Sequence, residues 1–114
     1  MTQSRYVVKS SVTETMDLIK LSQSTKDIVF EELRQFGAFY QGMLTYDQSS
    51  LRPSNHTALF IVVHDFNNVT EVTMISTGGS GTLFNIDWSA AKGIIGGVKS
   101  ALKPVLIKEV KMPD

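Results

Sequence analysis

Hydrophobic residues recur along this chain with two periods, one helical and one extended, and the points where the period changes mark its expected elements. Arg5 to Lys9 is a short β-type run whose apolar content is Tyr6, Val7 and Val8. Ser11 and Glu14 then form a capping-box signature, in which a hydroxyl and a carboxylate each satisfy a backbone N–H at a helix start. Val12, Met16 and Ile19, joined by Leu18 and Leu21, follow at helical spacing and predict a helix over residues 12–22. Ser24 and Asp27 repeat that kind of start. Ile28, Val29, Leu33 and Phe36 make one stripe against the polar Glu31, Glu32, Arg34 and Gln35, which predicts a second helix. Gly37 ends it, as the residue type that adopts the left-handed conformation of a C-terminal cap. Glu31 and Arg34 fit an exposed face of that helix as a pair three apart.

Beyond Gly37 the period becomes extended. Ala38 to Asp47 carries Phe39, Tyr40, Met43, Leu44 and Tyr46, and a loop with Pro53 runs from Gln48 to Asn55. Thr57 to Phe66 is the strongest strand of the chain. Asn67-Asn68 suits a hairpin turn because Asn tolerates positive φ, and Val69 to Thr77 resumes the β pattern. Three antiparallel strands in a meander follow from this order. Gly78, Gly79 and Gly81 break the pattern, and Asp87 stands at the N-cap position of a helix from Trp88 to Leu102. Trp88, Ala91, Ile95, Val98 and Leu102 share one face of that helix, and Pro104 stops it. For Val105 to Val110, an edge strand and a docked tail remain equal readings. The expected fold is α+β, in the order β-α-α-β-β-β-α, with helices packed on one face of an antiparallel sheet of about four strands.

Alternate residues of a strand face opposite sides of its sheet. In the strongest strand Ala58, Phe60, Val62, His64 and Phe66 point one way, and Leu59, Ile61, Val63 and Asp65 the other, so both faces are apolar. Burying one such side chain contributes about 1.5–3 kcal/mol, and exposing a whole face forfeits an amount comparable with the net stability of a small domain. Both faces therefore call for a cover. A second copy of the chain is the first expectation, making a homo-oligomer and most simply a homodimer. The alternative is a small apolar ligand held between the sheet and the C-terminal helix, in a curved sheet of the helix-grip kind. Phe60, Val62 and His64 are the strand's candidates for either contact.

The segment Ser76-Thr77-Gly78-Gly79-Ser80-Gly81-Thr82-Leu83-Phe84-Asn85-Ile86-Asp87-Trp88 is specified by more than packing. A glycine-rich turn ahead of a helix exposes backbone N–H groups to anions. The phosphate reading fails on chemistry. A P-loop needs Gly-Lys-Ser/Thr where Gly81 is followed by Thr82, a dinucleotide fingerprint needs glycine where Phe84 stands, and Asp87 would repel the anion. A bulge or tight turn accounts for Gly78 and Gly79. Trp88 reads as a core anchor or as a ligand-lining residue. Gly93 and Gly97 each cost about 1 kcal/mol in a helix relative to Ala, which suggests close approach of another backbone. Gly78, Gly79, Phe84, Asp87 and Trp88 join the interface or ligand candidates. Ser76-Thr77-Gly78-Gly79, then Phe84, then Asp87-Trp88 before a C-terminal helix resembles a domain-of-unknown-function family of small bacterial α+β proteins of this length. The chain carries Ser89 where that pattern has glycine. The resemblance covers nearly the whole chain and implies no catalytic role.

Composition narrows the function further. With 114 residues, 42% of them hydrophobic, residues 1–114 are long enough for one globular domain and too short for two. Eleven basic residues balance eleven acidic ones, which removes the electrostatic attraction that dominates binding to nucleic acid and anionic membranes. Lys99, Lys103, Lys108 and Lys111 are the nearest thing to a basic cluster and suit a solvated helix end. The absence of cysteine excludes disulfides, thiolate metal sites and cysteine nucleophiles. Met1 to Lys9 lacks the apolar stretch of a signal peptide, and no apolar run reaches the ~20 residues that span a bilayer, so a cytoplasmic setting is expected.

Catalysis finds little footing. His56 lies in a polar loop, and His64 adjoins Asp65 on a strand, where neighbours face opposite ways and do not make a dyad. His64 with Asp47 or Asp87 falls short of the three or four ligands of a metal site. Ser80, in Gly79-Ser80-Gly81, lacks the five-residue nucleophile elbow. Any catalysis would fall to His64, Asp87 and Ser80. The expectation is a non-catalytic interaction or self-association module without cofactor or metal.

Overall fold

The computed structural model describes residues 2–22, 28–47, 58–77 and 96–111. Strand β1 (Thr2–Val8) leads to helix α1 (Val12–Ser22), and four strands follow: β2 (Ile28–Phe36), β3 (Phe39–Asp47), β4 (Ala58–His64) and β5 (Thr70–Thr77). Residues 96–102 are helical. A 3₁₀ turn (Lys103–Val105) then carries the chain into β6 (Leu106–Val110). All six strands join one sheet in the order β2-β3-β4-β5-β1-β6, every neighbouring pair antiparallel.

The capping box forms as expected: the Glu14 N–H donates to Ser11 Oγ at 3.1 Å and the Ser11 N–H donates to Glu14 Oε1 at 3.0 Å. That backbone bond to the charged form holds the Glu14 carboxyl below its ordinary pKa. The meander is also as expected and one strand longer. Asn68, at φ 66°, takes the left-handed conformation in the turn between β4 and β5.

Residues 28–36 correct the sequence reading. The stripe of Ile28, Val29, Leu33 and Phe36 predicts a helix, and these residues form strand β2, paired with β3 from Ile28–Tyr46 to Phe36–Phe39. One helix, not two, precedes the meander. The run Ile28-Val29-Phe30 is β-branched and aromatic, and the pairing with β3 overrides the helical spacing of the rest. A bulge at Val29, where the register shifts, breaks the parity that would have betrayed a strand. Gly37 is therefore not a helix cap. It is the first residue of a two-residue hairpin turn, at φ +63°, as a type II′ turn requires. Glu31 and Arg34 lie on opposite faces of the strand, and the carboxylate near Arg34 is that of Glu32, at 3.9 Å. The sheet has six strands rather than four, because β2 and β6 both join it; residues 106–110 are an edge strand and not a tail.

Both described helices cover the same face. Leu44 and Tyr46 of β3, Leu59, Ile61 and Val63 of β4, Val72 and Met74 of β5, and Tyr6 and Val8 of β1 form one buried cluster with Val12, Met16 and Ile19 of α1 and with Val98 and Leu102. The helices are tied to the two margins of the sheet. Lys20 of α1 donates to Glu31 of β2 at 2.7 Å, and this bond raises the lysine pKa. Lys99 reaches Glu109 of β6 at 3.2 Å, with the same effect on its own ammonium.

At the centre of this packing α1 lies close over β3. A Cβ added at Gly42 would stand 2.6 Å from Met16 Sδ and 2.9 Å from its Cγ, so the absent side chain is what admits Met16. Gly42→Val is expected to lower stability by about 1–3 kcal/mol through overpacking, read as a lower urea midpoint at unchanged slope. An unchanged midpoint would show that α1 does not sit on β3 in this way.

Candidate functional site

The sheet's second face has no covering element among the described residues. Its composition follows from the registers, since directly paired residues share a face. One row crosses the sheet as Phe30, Thr45, Phe60, Ile75 and Gln3. The next runs Glu32, Met43, Val62, Thr73, Arg5 and Val110. A third runs Arg34, Gln41, His64, Glu71, Val7 and Lys108. The first two rows hold an apolar centre of Phe30, Met43, Phe60, Val62 and Ile75. The third is its charged margin.

Burial separates the two faces of β4 cleanly. Leu59, Ile61 and Val63 are at most 1% exposed, whereas Phe60 is 40% exposed and Val62 and His64 are half-buried. Phe30, at 46%, continues the patch onto β2. The paired arrangement also fixes the polar groups. Arg5 Nε donates to Thr73 Oγ1 at 3.0 Å, which holds the guanidinium along the second row.

His64 stands opposite Glu71, with Nε2 3.6 Å from Oε1, and its ring stacks on Phe66 at 5.0 Å. The Phe66 N–H points to His64 Nδ1 at 3.4 Å, and Asn67 Nδ2 donates to Glu71 Oε2 at 3.2 Å. Phe66 in turn meets Phe36 and Phe39 edge-on, at 5.8 and 6.1 Å, and the Arg34 guanidinium lies 5.9 Å from the centre of the Phe36 ring. The corner therefore gathers three phenyl rings, an imidazole and a carboxylate. Asp65, the sequence neighbour of His64, faces away from it and accepts the Tyr40 N–H at 2.8 Å, extending the β3–β4 pairing by one bond. Among the described residues no group of three His, Cys, Asp or Glu side chains converges as metal ligands would. None of their helices is long and apolar enough to cross a membrane.

An open cleft of about 490 Å³ lies at one end of the sheet, where Lys9, Phe39, Asp65, Asn68 and Ile107 meet. Its carboxylate, Asp65, accepts the Tyr40 N–H, and Lys9 and Thr70 supply the other polar side chains of the lining together with Asn68.

Of the candidates drawn from the sequence, Phe60, Val62 and His64 come together on this uncovered face. Gly78, Gly79, Phe84, Asp87 and Trp88 lie outside the described residues, as do Ser80 and His56. The sequence reading missed Phe30, Met43, Ile75 and Glu71 as members of the surface. The spacing of Met43, Glu71 and Ile75 within their strands carries that signal once the register is known. Phe30 was hidden by the helical reading of β2.

A family model described as a family of unknown function (DUF6054) matches residues 1–105 of the 114-residue chain. It agrees with the resemblance carried by the segment from Ser76 to Trp88. No curated protein and no solved structure matches the chain.

Phe60 and Ile61 adjoin in sequence and lie on opposite faces, so truncating each measures its face. Ile61→Ala is expected to cost about 2–5 kcal/mol in urea unfolding, as a deletion in a packed core. Phe60→Ala should cost about 1 kcal/mol or less, as at a surface position. Equal costs would mean that Phe60 is packed against a cover.

Proposed function

The chain belongs to the DUF6054 family, a family of unknown function, and we propose from its own surface that it is a non-catalytic protein-association module working through the uncovered face of its sheet and the adjoining strand β2. The observation that carries this reading is where the exposed large apolar side chains fall. Phe30 and Phe36 of β2 stand with Phe60 and Phe66 on the open face or at its corner. Val29 at the bulge and Leu33, which lies opposite Gly42 on the helix-bearing face, extend the exposure along the edge of β2, and Leu21, Val69 and Ile107 are exposed on other elements. Scattered single exposures are ordinary on a protein surface, whereas a contiguous apolar patch with a polar rim has the anatomy of an interface. Here the charged row of Arg34, His64, Glu71 and Lys108 supplies the rim.

The ligand-carrier alternative draws less support from the described residues. Val98 and Leu102 pack into the cluster with Tyr6 and Val72, occupying the layer between helix and sheet that such a ligand would need. The pairing of His64 with Glu71 serves the association reading, because a half-buried polar pair at the edge of an apolar patch favours one partner orientation over others.

In sedimentation equilibrium the chain is expected to exceed its monomer mass of 12.6 kDa at tens to hundreds of micromolar, or on the order of 10⁻⁵–10⁻⁴ M. Phe30→Lys, at a position shared by the open face and the outer strand, should shift it toward the monomer while the circular dichroism of the fold is retained. A wild-type chain that stays monomeric at several hundred micromolar, about 10⁻⁴ M or more, would sink this reading.

A further inference from the structure

Strand β2 is an outer strand of the sheet, and its regular stretch is bounded on both sides. A bulge at Val29 ends it at Phe30, and the turn at Gly37 ends it at Phe36. Leu33 is the midpoint of that stretch. In a two-residue hairpin the residues flanking the turn exchange both backbone hydrogen bonds, so Phe36 bonds inward to Phe39. The alternation then directs the backbone groups of Phe30, Glu32 and Arg34 toward β3 as well. Those of Glu31, Leu33 and Gln35 face outward, with no strand beyond them among the described residues.

The two outer strands are unlike. β6 has five residues, carries Lys108, and is flanked by Pro104 and Lys111, the features that discourage edge pairing. β2 has nine residues and contains neither proline nor lysine. Its charges are arranged differently, as Glu31, Glu32 and Arg34 around Leu33.

We infer that two copies of the chain join edge to edge through β2, antiparallel, with Leu33 of one copy opposite Leu33 of the other. This rests on the association reading above and names the partner and the contact. The register follows from parity and charge. Opposed residues must share a face, so a two-fold axis normal to the sheet passes beside one residue of the strand. Centred on Glu31 or Glu32, it sets a carboxylate against its own copy, and centred on Arg34 it sets two guanidinium groups together, all unfavourable. Centred on Gln35, it leaves Glu32 and Arg34 without an opposite charge across the seam and runs the pairing past the turn at Gly37.

Centred on Leu33, the axis places Glu32 opposite Arg34 of the second copy, twice over. Phe30 then meets Phe36 of the second copy, and Glu31 meets Gln35, again in duplicate. The outward groups of Glu31, Leu33 and Gln35 face their counterparts and complete the backbone ladder. The existing geometry leaves Glu32 and Arg34 available: they are 3.9 Å apart in one chain, with side chains 39% and 62% exposed. Because the axis is normal to the sheet, the two uncovered faces come to lie on the same side and form one wider apolar surface.

Sedimentation velocity with charge exchange tests the register. The wild type should be a dimer. Glu32→Arg and Arg34→Glu should each raise its dissociation constant by roughly tenfold or more, and the double exchange should restore it to within about threefold of the wild type. The chain has no cysteine, so single cysteines report position. Leu33→Cys should oxidise to a covalent dimer, since directly opposed Cα atoms fall within disulfide range, and Gln35→Cys should not.

A multimer that ignores the charge exchanges and dissociates on Phe60→Lys would overturn the edge contact and leave association through the open face standing. Cross-linking of Gln35→Cys in place of Leu33→Cys would overturn the register. A monomeric wild type would overturn both the edge contact and the association reading.

Discussion

The alternation of β4 is the constraint on which the rest of the structure depends. Leu59, Ile61 and Val63 face the helices while Phe60, Val62 and His64 face away, and both described helices lie on the first side. The strand sits inside the sheet, with β3 and β2 on one flank and β5, β1 and β6 on the other, so its backbone is fully paired. Its burial therefore depends on the two layers above and below. One layer is supplied by α1 and residues 96–102, which insert Met16, Ile19, Val98 and Leu102 into the grooves of the first face. On the second face the apolar side chains keep partial contact with one another across the registers and remain accessible. Phe60 next to Ile75 and Met43 next to Val62 shield each other from water.

This division explains which parts of the fold were legible in the sequence. Helix α1 was legible because its signal is local: the capping box is complete within four residues, and its apolar stripe points at one core. β3, β4 and β5 were legible because β-branched and aromatic residues concentrate in each and turn-forming residues bound them. β2 was not. An edge strand exposed on both faces has no burial period of its own; Val29, Phe30, Leu33 and Phe36 stay accessible on either side, and a bulge shifts their parity. What remains is a polar-apolar mixture of Glu, Leu, Arg and Gln, which are good helix formers in isolation. The two residues between Phe36 and Phe39 were the available signal, since Gly at the first position of a two-residue link marks a hairpin. β6 escaped for a related reason: its pairing with β1 links residues about a hundred positions apart, which no local pattern encodes.

The candidate surface was legible in part. The two-sided β4 pointed to Phe60, Val62 and His64, and the registers add their lateral neighbours. The immediate surroundings of His64 were out of reach from sequence, because Glu71 comes opposite it only through the β4–β5 register. The sequence excluded its neighbour Asp65 as a partner because adjacent strand residues face opposite ways, and the pleat indeed sends that carboxylate to the Tyr40 N–H. The outcome for chemistry is that His64 is held by a stacked ring and one carboxylate. That environment orients the imidazole.

An apolar face and a strand edge that have no cover among the described residues pose different problems of specificity. A flat apolar face is permissive, because dispersion and water release act without direction and tolerate many orientations of a partner. A strand edge is directional, since hydrogen-bond parity restricts the registers and side-chain charges choose among them. In this chain the two features adjoin, with Phe30 and Phe36 belonging to both. The edge can therefore set the alignment in which the permissive face is presented. The charges of β2 fit the proposed edge contact: a strand meant only to stay soluble would gain more from like charges or a proline, whereas Glu32 and Arg34, placed evenly about Leu33, become opposite-charge partners of each other in the alignment centred there.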